Sequence, residues 1–386
     1  MSFSPQTRIA LVFFAQAIIA GALITRIPDI QAALAINEEV LGLALLGQPV
    51  GNLVTIFIAS AVLEQQGTRR ILVTGLPVLA VCTALAAVAP GPAALFVVLA
   101  VYGSAFALTN LAMNIEVDQQ EALDGRRFMN RCHGIGSAGL LVTSLVGAAL
   151  RGAGVPASVH LLVMAPLAAA AALALVLPLK PAPPRPQAGV ARRGSVALPT
   201  AMTFLLVGFG ISAFLLEGAA RSWSIIYMRD SFVSPDWLDS LSLTVFIAFM
   251  AGGRLVADRF TERFGPPMVA RALMAIAALG LTLVALAPTP LLALSGFALT
   301  GLGTSAIYPL TLSSAARLPD RPSSENVAAV TMVGSIAVLA APAILGSVAT
   351  HWGIRATFAV LIPATVLSFA LAWVLRARKE GNEGPR

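Results

Sequence analysis

The sequence predicts an all-α membrane protein of twelve transmembrane helices arranged as two pseudo-symmetric halves of six, and three observations carry that expectation. Hydrophobic residues make up 58% of the chain and charged residues only 11%, against roughly a quarter charged in soluble domains. Twelve stretches are long and apolar enough to cross a bilayer, which takes about 20 residues of helix. A charged loop signal recurs half a chain apart.

Taken in order, the spans run over residues 8–27, 38–61, 71–89, 93–113, 131–150, 157–178, 199–228, 238–257, 268–287, 291–312, 326–349 and 355–376. Helix is the expected element because lipid offers no partner for backbone N–H and C=O groups, and a helix satisfies its own. The first span, with Arg8 ahead of it and small residues at Ala20 to Ala22, has some look of a secretory leader. Its removal would break the two-halves pattern, so it is read as a retained helix. Between the sixth and seventh spans, Pro178, Pro181, Pro183, Pro184 and Pro186 break helix, and Arg192-Arg193 add charge. The expected division is therefore 1–178 for the first half, 179–198 for a Pro/Arg-rich cytoplasmic linker and 199–386 for the second half with a short basic tail. Cys82 and Cys132 are too few for a disulfide framework and read as packing residues.

A net charge of +7 and a pI near 10.4 could point to nucleic acid, and the placement of the basic residues decides against it. If both termini are cytoplasmic, twenty of the 25 Lys and Arg residues fall on that side. Only Arg26, Arg151, Arg221, Arg229 and Arg355 fall on the other. This is the positive-inside asymmetry of a multi-pass membrane protein, and no nucleic-acid partner is expected.

Ser60, Glu64, Gln65, Gly67, Arg69 and Arg70 form one loop signal, and Gly253, Arg254, Asp258, Arg259, Arg263 and Gly265 form the other. Their acids lie 194 residues apart (258 − 64). Six spans, a basic Pro-rich linker, six more spans and a charged loop after the second span of each half resemble the major facilitator superfamily over essentially the whole chain. In that family's signature, Gly and Asp stand where Ser60 and Glu64 stand here, Arg where Gln65 stands, and Gly253 comes one position early. The resemblance implies a cytoplasmic gate made by Ser60, Glu64, Gly67, Arg69, Arg70, Gly253, Arg254, Asp258, Arg259 and Arg263. An acid at a helix end, held by basic side chains, would latch that side shut. The alternative is a solvated topology determinant. Narrower similarity, in Arg26-Ile-Pro28-Asp29-Ile30, in Phe128-Met129 with His133-Gly134, and in Glu217-Gly218-Ala219 with Trp223-Ser224, points to the YbjJ-like branch of bacterial facilitators.

Polar groups inside apolar spans are the candidates for function, since a charge at membrane depth is costly and usually faces a cavity or a partner. Glu217 lies deep in the seventh span with Arg221 four residues later on the same helical face. The pair would either couple a proton to substrate binding or neutralise itself statically. Arg26 and Asp29 hold the corresponding end of the first half (221 − 26 is 195), as a matching coupling pair or as an interfacial ion pair around Pro28. Gln16, Gln48, Asn52, Asn110 and Asn114 would line a central cavity or glue helices together. Trp223, Tyr227 and Tyr308 would add aromatic surface there or belong to interfacial belts. Gly301, Gly303, Ser305, Tyr308 and Pro309 mark a helix able to approach a neighbour and bend. His133 reads as a structural histidine or a proton relay.

No metal spacing appears among three histidines and two cysteines, and neither lysine sits in a phosphate-binding loop, so no cofactor is expected and ATP hydrolysis by that route is excluded. Gly134-Ile-Gly136-Ser-Ala-Gly139 matches a dinucleotide fingerprint but opens an apolar span with no strand before it. No paired acids or nucleophile with a base can be assembled for an intramembrane enzyme. The expected function is secondary transport of a small polar solute across the bacterial inner membrane by alternating access, coupled to protons, with the bilayer as the other partner and a monomer as the working unit. Efflux of amphipathic compounds is the runner-up, and a non-transporting sensor is the other class. Because the second loop keeps Asp258-Arg259 whereas the first has Glu64-Gln65, Asp258→Asn is expected to impair transport more than Glu64→Gln; equal rates in a flux assay would remove that asymmetry.

Overall fold

Helix dominates locally, and Gly and Pro decide where each helix stops. The computed structural model describes residues 3–125, 128–179, 200–320 and 323–375. Nearly all of the expected linker, Arg126 and Arg127, and the basic tail from Arg376 onward lie outside the described residues. Chain order is α1 (Pro5–Leu34), α2 (Glu38–Leu45), α3 (Gly47–Ala86), α4 (Pro92–Asp124), α5 (Met129–Gly152), α6 (Ala157–Val176), α7 (Ala201–Ser231), α8 (Asp236–Phe264), α9 (Pro266–Leu286), α10 (Pro290–Thr304), α11 (Ile307–Ala316), α12 (Ser323–Trp352), α13 (Ile354–Ala359) and α14 (Ile362–Leu371). Ser4, Asn37, Thr200 and Thr289 cap α1, α2, α7 and α10 by accepting a backbone N–H, and Pro opens α1, α4, α9 and α10, where its missing N–H costs nothing.

Among the described residues, eleven helical segments are long and apolar enough to cross a membrane. The expected span 38–61 is interrupted at Leu46, between α2 and α3, and stands outside that count although the two helices together occupy it. Large apolar side chains cover the outside, among them Phe57, Leu167, Leu255, Met268, Leu286 and Leu291, all more than half exposed. A water-soluble protein does not expose apolar surface on this scale, and a bilayer requires it.

The duplication is visible in the backbone, at a register different from the one the loop acids suggest. α3 passes through a break at Gly67 (φ 72, ψ 163), and α8 gives way to α9 at Gly265 (φ 80, ψ 151). Both glycines adopt left-handed backbone that other residues avoid, and they lie 198 apart (265 − 67). The same offset relates two helix crossings. A Cβ on Gly103 of α4 would stand 2.1 Å from the carbonyl oxygen of Gln48, and a Cβ on Gly301 of α10 would stand 2.3 Å from that of Phe246. At this register Glu64 corresponds to Glu262, and Asp258 corresponds to Ser60. The 194-residue spacing therefore paired acids at different depths: Glu64 sits three residues before its break and Asp258 seven before its own.

The halves meet at the face opposite the chain termini. There α2 crosses α12 so closely that a Cβ on Gly42 would be 2.4 Å from the Pro342 carbonyl oxygen, and one on Gly346 equally near the Glu38 carbonyl oxygen. The Glu39 N–H donates to Thr350 Oγ1 (3.0 Å), and Thr244 Oγ1 donates to Ser144 Oγ (3.1 Å) between α8 and α5. Small residues thus let backbone approach backbone, the usual basis of helix association in lipid. Gly103→Val is expected to lower stability by about 1–3 kcal/mol through overpacking. Gly252→Ala, whose added methyl meets open space, should leave it unchanged; thermal unfolding in detergent separates the two.

Candidate functional site

A cavity of about 270 Å³ lies between the halves, under the sealed face. α1 contributes Ile24 and Ile27, α2 contributes Leu45, and α3 contributes Gln48 and Asn52. α7 contributes Phe214, Glu217, Arg221 and Trp223, and α12 contributes Pro342 and Leu345. Every second-half residue named here other than Pro342 and Leu345 comes from one stretch of α7, because residues 214, 217 and 221 recur at helical spacing on one face.

Glu217 sits near the middle of α7, and two guanidiniums reach it. Arg221 Nη2 donates to Oε1 at 2.5 Å, one turn along the same helix, and Arg254 Nη2 of α8 stands 3.7 Å from Oε2. The three side chains are 30%, 37% and 38% exposed, so the cluster faces an open, solvated space and not a dry core. Arg254 is held in place by Pro309. Proline has no N–H to give to the carbonyl four residues back, so the Ser305 carbonyl is released from the helix ladder between α10 and α11. Arg254 Nε donates to that oxygen at 3.0 Å. Gly253 beside it packs against Ser305, where a Cβ would come within 2.6 Å of the hydroxyl oxygen. Gly253 and Arg254, expected in the gate loop, are therefore parts of the α8–α10 crossing, and Arg254 belongs to the Glu217 cluster.

Two of the five amides line this cavity, Gln48 and Asn52, and the Asn52 Oδ1 atom is buried without a partner. Gln16 is buried elsewhere and donates to Thr109 Oγ1 (2.6 Å), joining α1 to α4. Asn114 donates to Asn110 Oδ1 (3.0 Å) and contacts His133 Nε2 (3.0 Å), nearer the termini-bearing face. Trp223 is fully buried in the cavity wall with its indole N–H unpartnered. Tyr308 packs edge-on against Phe214, at 5.2 Å between ring centroids. Tyr227 departs from expectation: it is fully buried in the second half, donates to the Val284 carbonyl and packs among Phe232, Phe297 and Phe358. It does not line the cavity.

Arg26 and Asp29 do not mirror the Glu217 pair. Arg26 is 1% exposed and donates to Asp29 Oδ2 (2.8 Å) and His160 Nδ1 (2.9 Å). Arg151 donates to Asp29 Oδ1 (3.0 Å), and its Nη1 reaches across to Ser240 Oγ (2.9 Å) at the start of α8. Arg229 answers from the other side, donating to the Pro28 carbonyl (3.1 Å) and Gln31 Oε1 (3.0 Å). One carboxylate between two buried guanidiniums, with both halves hydrogen-bonded to it or beside it, is a seal. The 195-residue spacing of Arg26 and Arg221 places them in different environments, one in this seal and one in the cavity.

The loop residues lie at the termini-bearing face. Arg69 Nη2 donates to the Leu177 carbonyl (2.6 Å), tying the loop to the end of α6, and Arg70 and Glu64 are exposed. Asp258, Arg259 and Arg263 project as exposed side chains from the last turns of α8. Ser60 belongs to α3, and its side chain is outside the described set. The sequence reading missed Arg151, His160 and the buried Glu116, which accepts from Thr68 Oγ1 (2.7 Å) and Gln120. Arg254 was within reach, since it lies inside a predicted span and meets the same criterion that singled out Glu217. Among the described residues, no group of three or more His, Cys, Asp or Glu side chains is placed to hold a metal ion.

Comparison with known proteins agrees with this architecture. A family profile described as the Major Facilitator Superfamily matches residues 222–386. An uncharacterized MFS-type transporter of Yersinia pestis is 26% identical over 96% of this chain and 96% of its own length. Membrane protein MosC of Rhizobium meliloti is 26% identical over 98% of this chain and 92% of itself. Among solved structures, a mutant of nucleoside transporter NupG superimposes with a TM-score of 0.78 at 16% identity, covering 97% of this chain and all of the other. The E. coli fucose:proton symporter FucP gives 0.65 at 16% identity, covering 97% and 99%. End-to-end similarity to MFS-type transporters, a superfamily profile match over residues 222–386 and the fold shared with solved transporters make this chain similar to members of the major facilitator superfamily, with the helices of a multi-pass membrane protein.

Proposed function

We propose that this chain is a secondary active transporter that moves a small polar solute across the bacterial inner membrane by alternating access, with a proton carried on Glu217. The observation behind this reading is the placement of Glu217 between Arg221 and Arg254 at the wall of a cavity that lies between the halves. A carboxylate there is neutralised when the cavity is empty and can exchange its guanidinium partners for a proton when cargo arrives. Gln48, Asn52 and Trp223 supply hydrogen bonds to the solute. Two structural neighbours are a nucleoside transporter and a fucose:proton symporter, which suits a polar cargo and a coupling proton.

Both termini are cytoplasmic in this reading, the halves are residues 1–178 and 199–386 joined by a cytoplasmic linker, and one chain suffices for function. The Arg26–Asp29–Arg151 seal then closes the periplasmic side, and the cavity opens to the cytoplasm. Glu64, Gly67, Arg69, Arg70, Asp258, Arg259 and Arg263 act when the cytoplasmic side closes, Glu262 joining them at the register of Glu64. Asn110, Asn114 and His133 line the cytoplasmic approach. A second reading, efflux of amphipathic compounds, draws on Ile24, Ile27, Leu45, Phe214 and Leu345 in the same cavity wall.

Glu217→Gln is expected to abolish proton-driven accumulation and its pH dependence while leaving exchange of solute across the membrane; unchanged proton-driven uptake in proteoliposomes would assign the proton elsewhere. Replacing both Ser144 and Thr244, whose hydroxyl oxygens are 3.1 Å apart, with cysteine should let a disulfide lock the sealed face and stop flux, with recovery on reduction. Full flux with the crosslink formed would rule out rocking of the halves about this cavity.

A further inference from the structure

Glu217 is outnumbered by its partners. Arg221 at 2.5 Å and Arg254 at 3.7 Å give the cluster a net charge of +1 when the carboxylate is ionised. Two phenols are also turned toward it, Tyr308 of α11 interacting with Glu217 and Tyr102 of α4 with Arg221, and an ordinary phenol is neutral near pH 7. Among the described residues, α1, α2, α3 and α12 line the cavity without a charged side chain. In the open cavity, water screens the excess positive charge. Alternating access closes the site and removes that water, after which each unbalanced charge becomes costly.

Resting on the reading of Glu217 as the proton carrier, we propose that the cargo is a small monoanion. Its carboxylate, or an equivalent oxyanion group, takes the place of the protonated Glu217 side chain on Arg221 and Arg254. The charge count selects this class. The empty carrier has ionised Glu217 and two guanidiniums, net +1. Protonated Glu217, two guanidiniums and a monoanion are again +1, so the site closes in the same charge state in both directions, and proton and anion cross with no net charge. A neutral cargo would force the cluster through closure at +2, and a dianion would make the loaded and empty forms differ. Donors without partners favour the same class: Arg221 Nε and the Trp223 indole N–H are buried and unanswered in the cavity wall, and acceptor oxygens would satisfy them. Asn52 Oδ1, buried and unpartnered, calls for a hydroxyl or amine elsewhere on the cargo. The cavity volume of about 270 Å³ limits the cargo to metabolite size.

The test uses the full chain and matched probes that differ in charge alone: lactate and lactamide, gluconate and gluconamide, benzoate and benzamide. Binding is read by thermal shift in detergent. Transport is read as proton influx into proteoliposomes containing a pH-sensitive dye, against protein-free vesicles, with membrane potential clamped or imposed. At least one carboxylate should bind where its amide does not, and should drive proton influx at a rate indifferent to the potential. Arg221→Gln and Arg254→Gln should each weaken that binding about tenfold or more; if either fails to purify folded, the Lys variants should show a smaller loss. Glu217→Gln should bind the anion at least as tightly and carry no proton with it. Equal binding of amide and carboxylate, no binding by any carboxylate, or binding indifferent to both arginines overturns the proposal. Proton-coupled flux of an amide removes the anion class and leaves the proton carrier. Proton influx persisting in Glu217→Gln removes the proton carrier itself.

Discussion

A charge at the middle of a bilayer has to be answered within the protein, and the central architecture depends on how Glu217 is answered. Insertion of a single such charge costs at least about 2.5–3.5 kcal/mol, so three together persist only if each has a partner or water. Arg221 reaches Glu217 because residues four apart on a helix share a face. Arg254 reaches it from α8 because Pro309 leaves the Ser305 carbonyl without its helical donor and the guanidinium occupies that oxygen. A missing N–H at Pro309 therefore orients an arginine on a neighbouring helix, and that arginine sets the net charge of the site.

The same chain uses two kinds of contact for two tasks. Crossings such as Gly103 on Gln48, Gly301 on Phe246 and Gly42 on Pro342 bring backbones into van der Waals contact and leave little room for adjustment. The cavity is lined by long side chains, Gln48, Glu217 and Arg221, with Arg254 reaching Glu217 from α8, and such side chains can exchange partners without moving the helices that carry them. Rigid seams at 198-residue offsets inside the halves, and an ion-pair cluster carried by the second half at the cavity between them, suit the rocking motion proposed above.

The class of fold was legible because the bilayer leaves few alternatives: apolar stretches of about 20 residues must be helices. Glu217 and Arg221 were legible because charges inside such stretches stand out. Side-chain destination was harder to read. Gln16 and Gln48 are both amides in apolar spans, yet one joins α1 to α4 and the other faces the cavity, a difference of rotation about a helix axis that hydropathy does not record. Tyr227 lies four residues beyond Trp223 and still points away, into the aromatic cluster with Phe297 and Phe358. The repeat register was misjudged because the acids were matched by type, whereas the positive-φ glycines, Gly67 and Gly265, mark where the backbone turns.

Asp29, shared between Arg26 and Arg151 and backed by Arg229 across the interface, has a consequence for binding from the two sides. Under the proposed alternating access, opening that face would break these contacts, and whatever that costs beyond the hydration gained would make the open state an excursion from the one seen here. A ligand arriving from the sealed side meets a competent site only during those excursions, and its apparent dissociation constant is raised by the inverse of the fraction of time spent open there. One chemically identical site would thereby acquire two operating ranges, responsive to dilute cargo on one side of the membrane and to concentrated cargo on the other, without a single residue of the site changing.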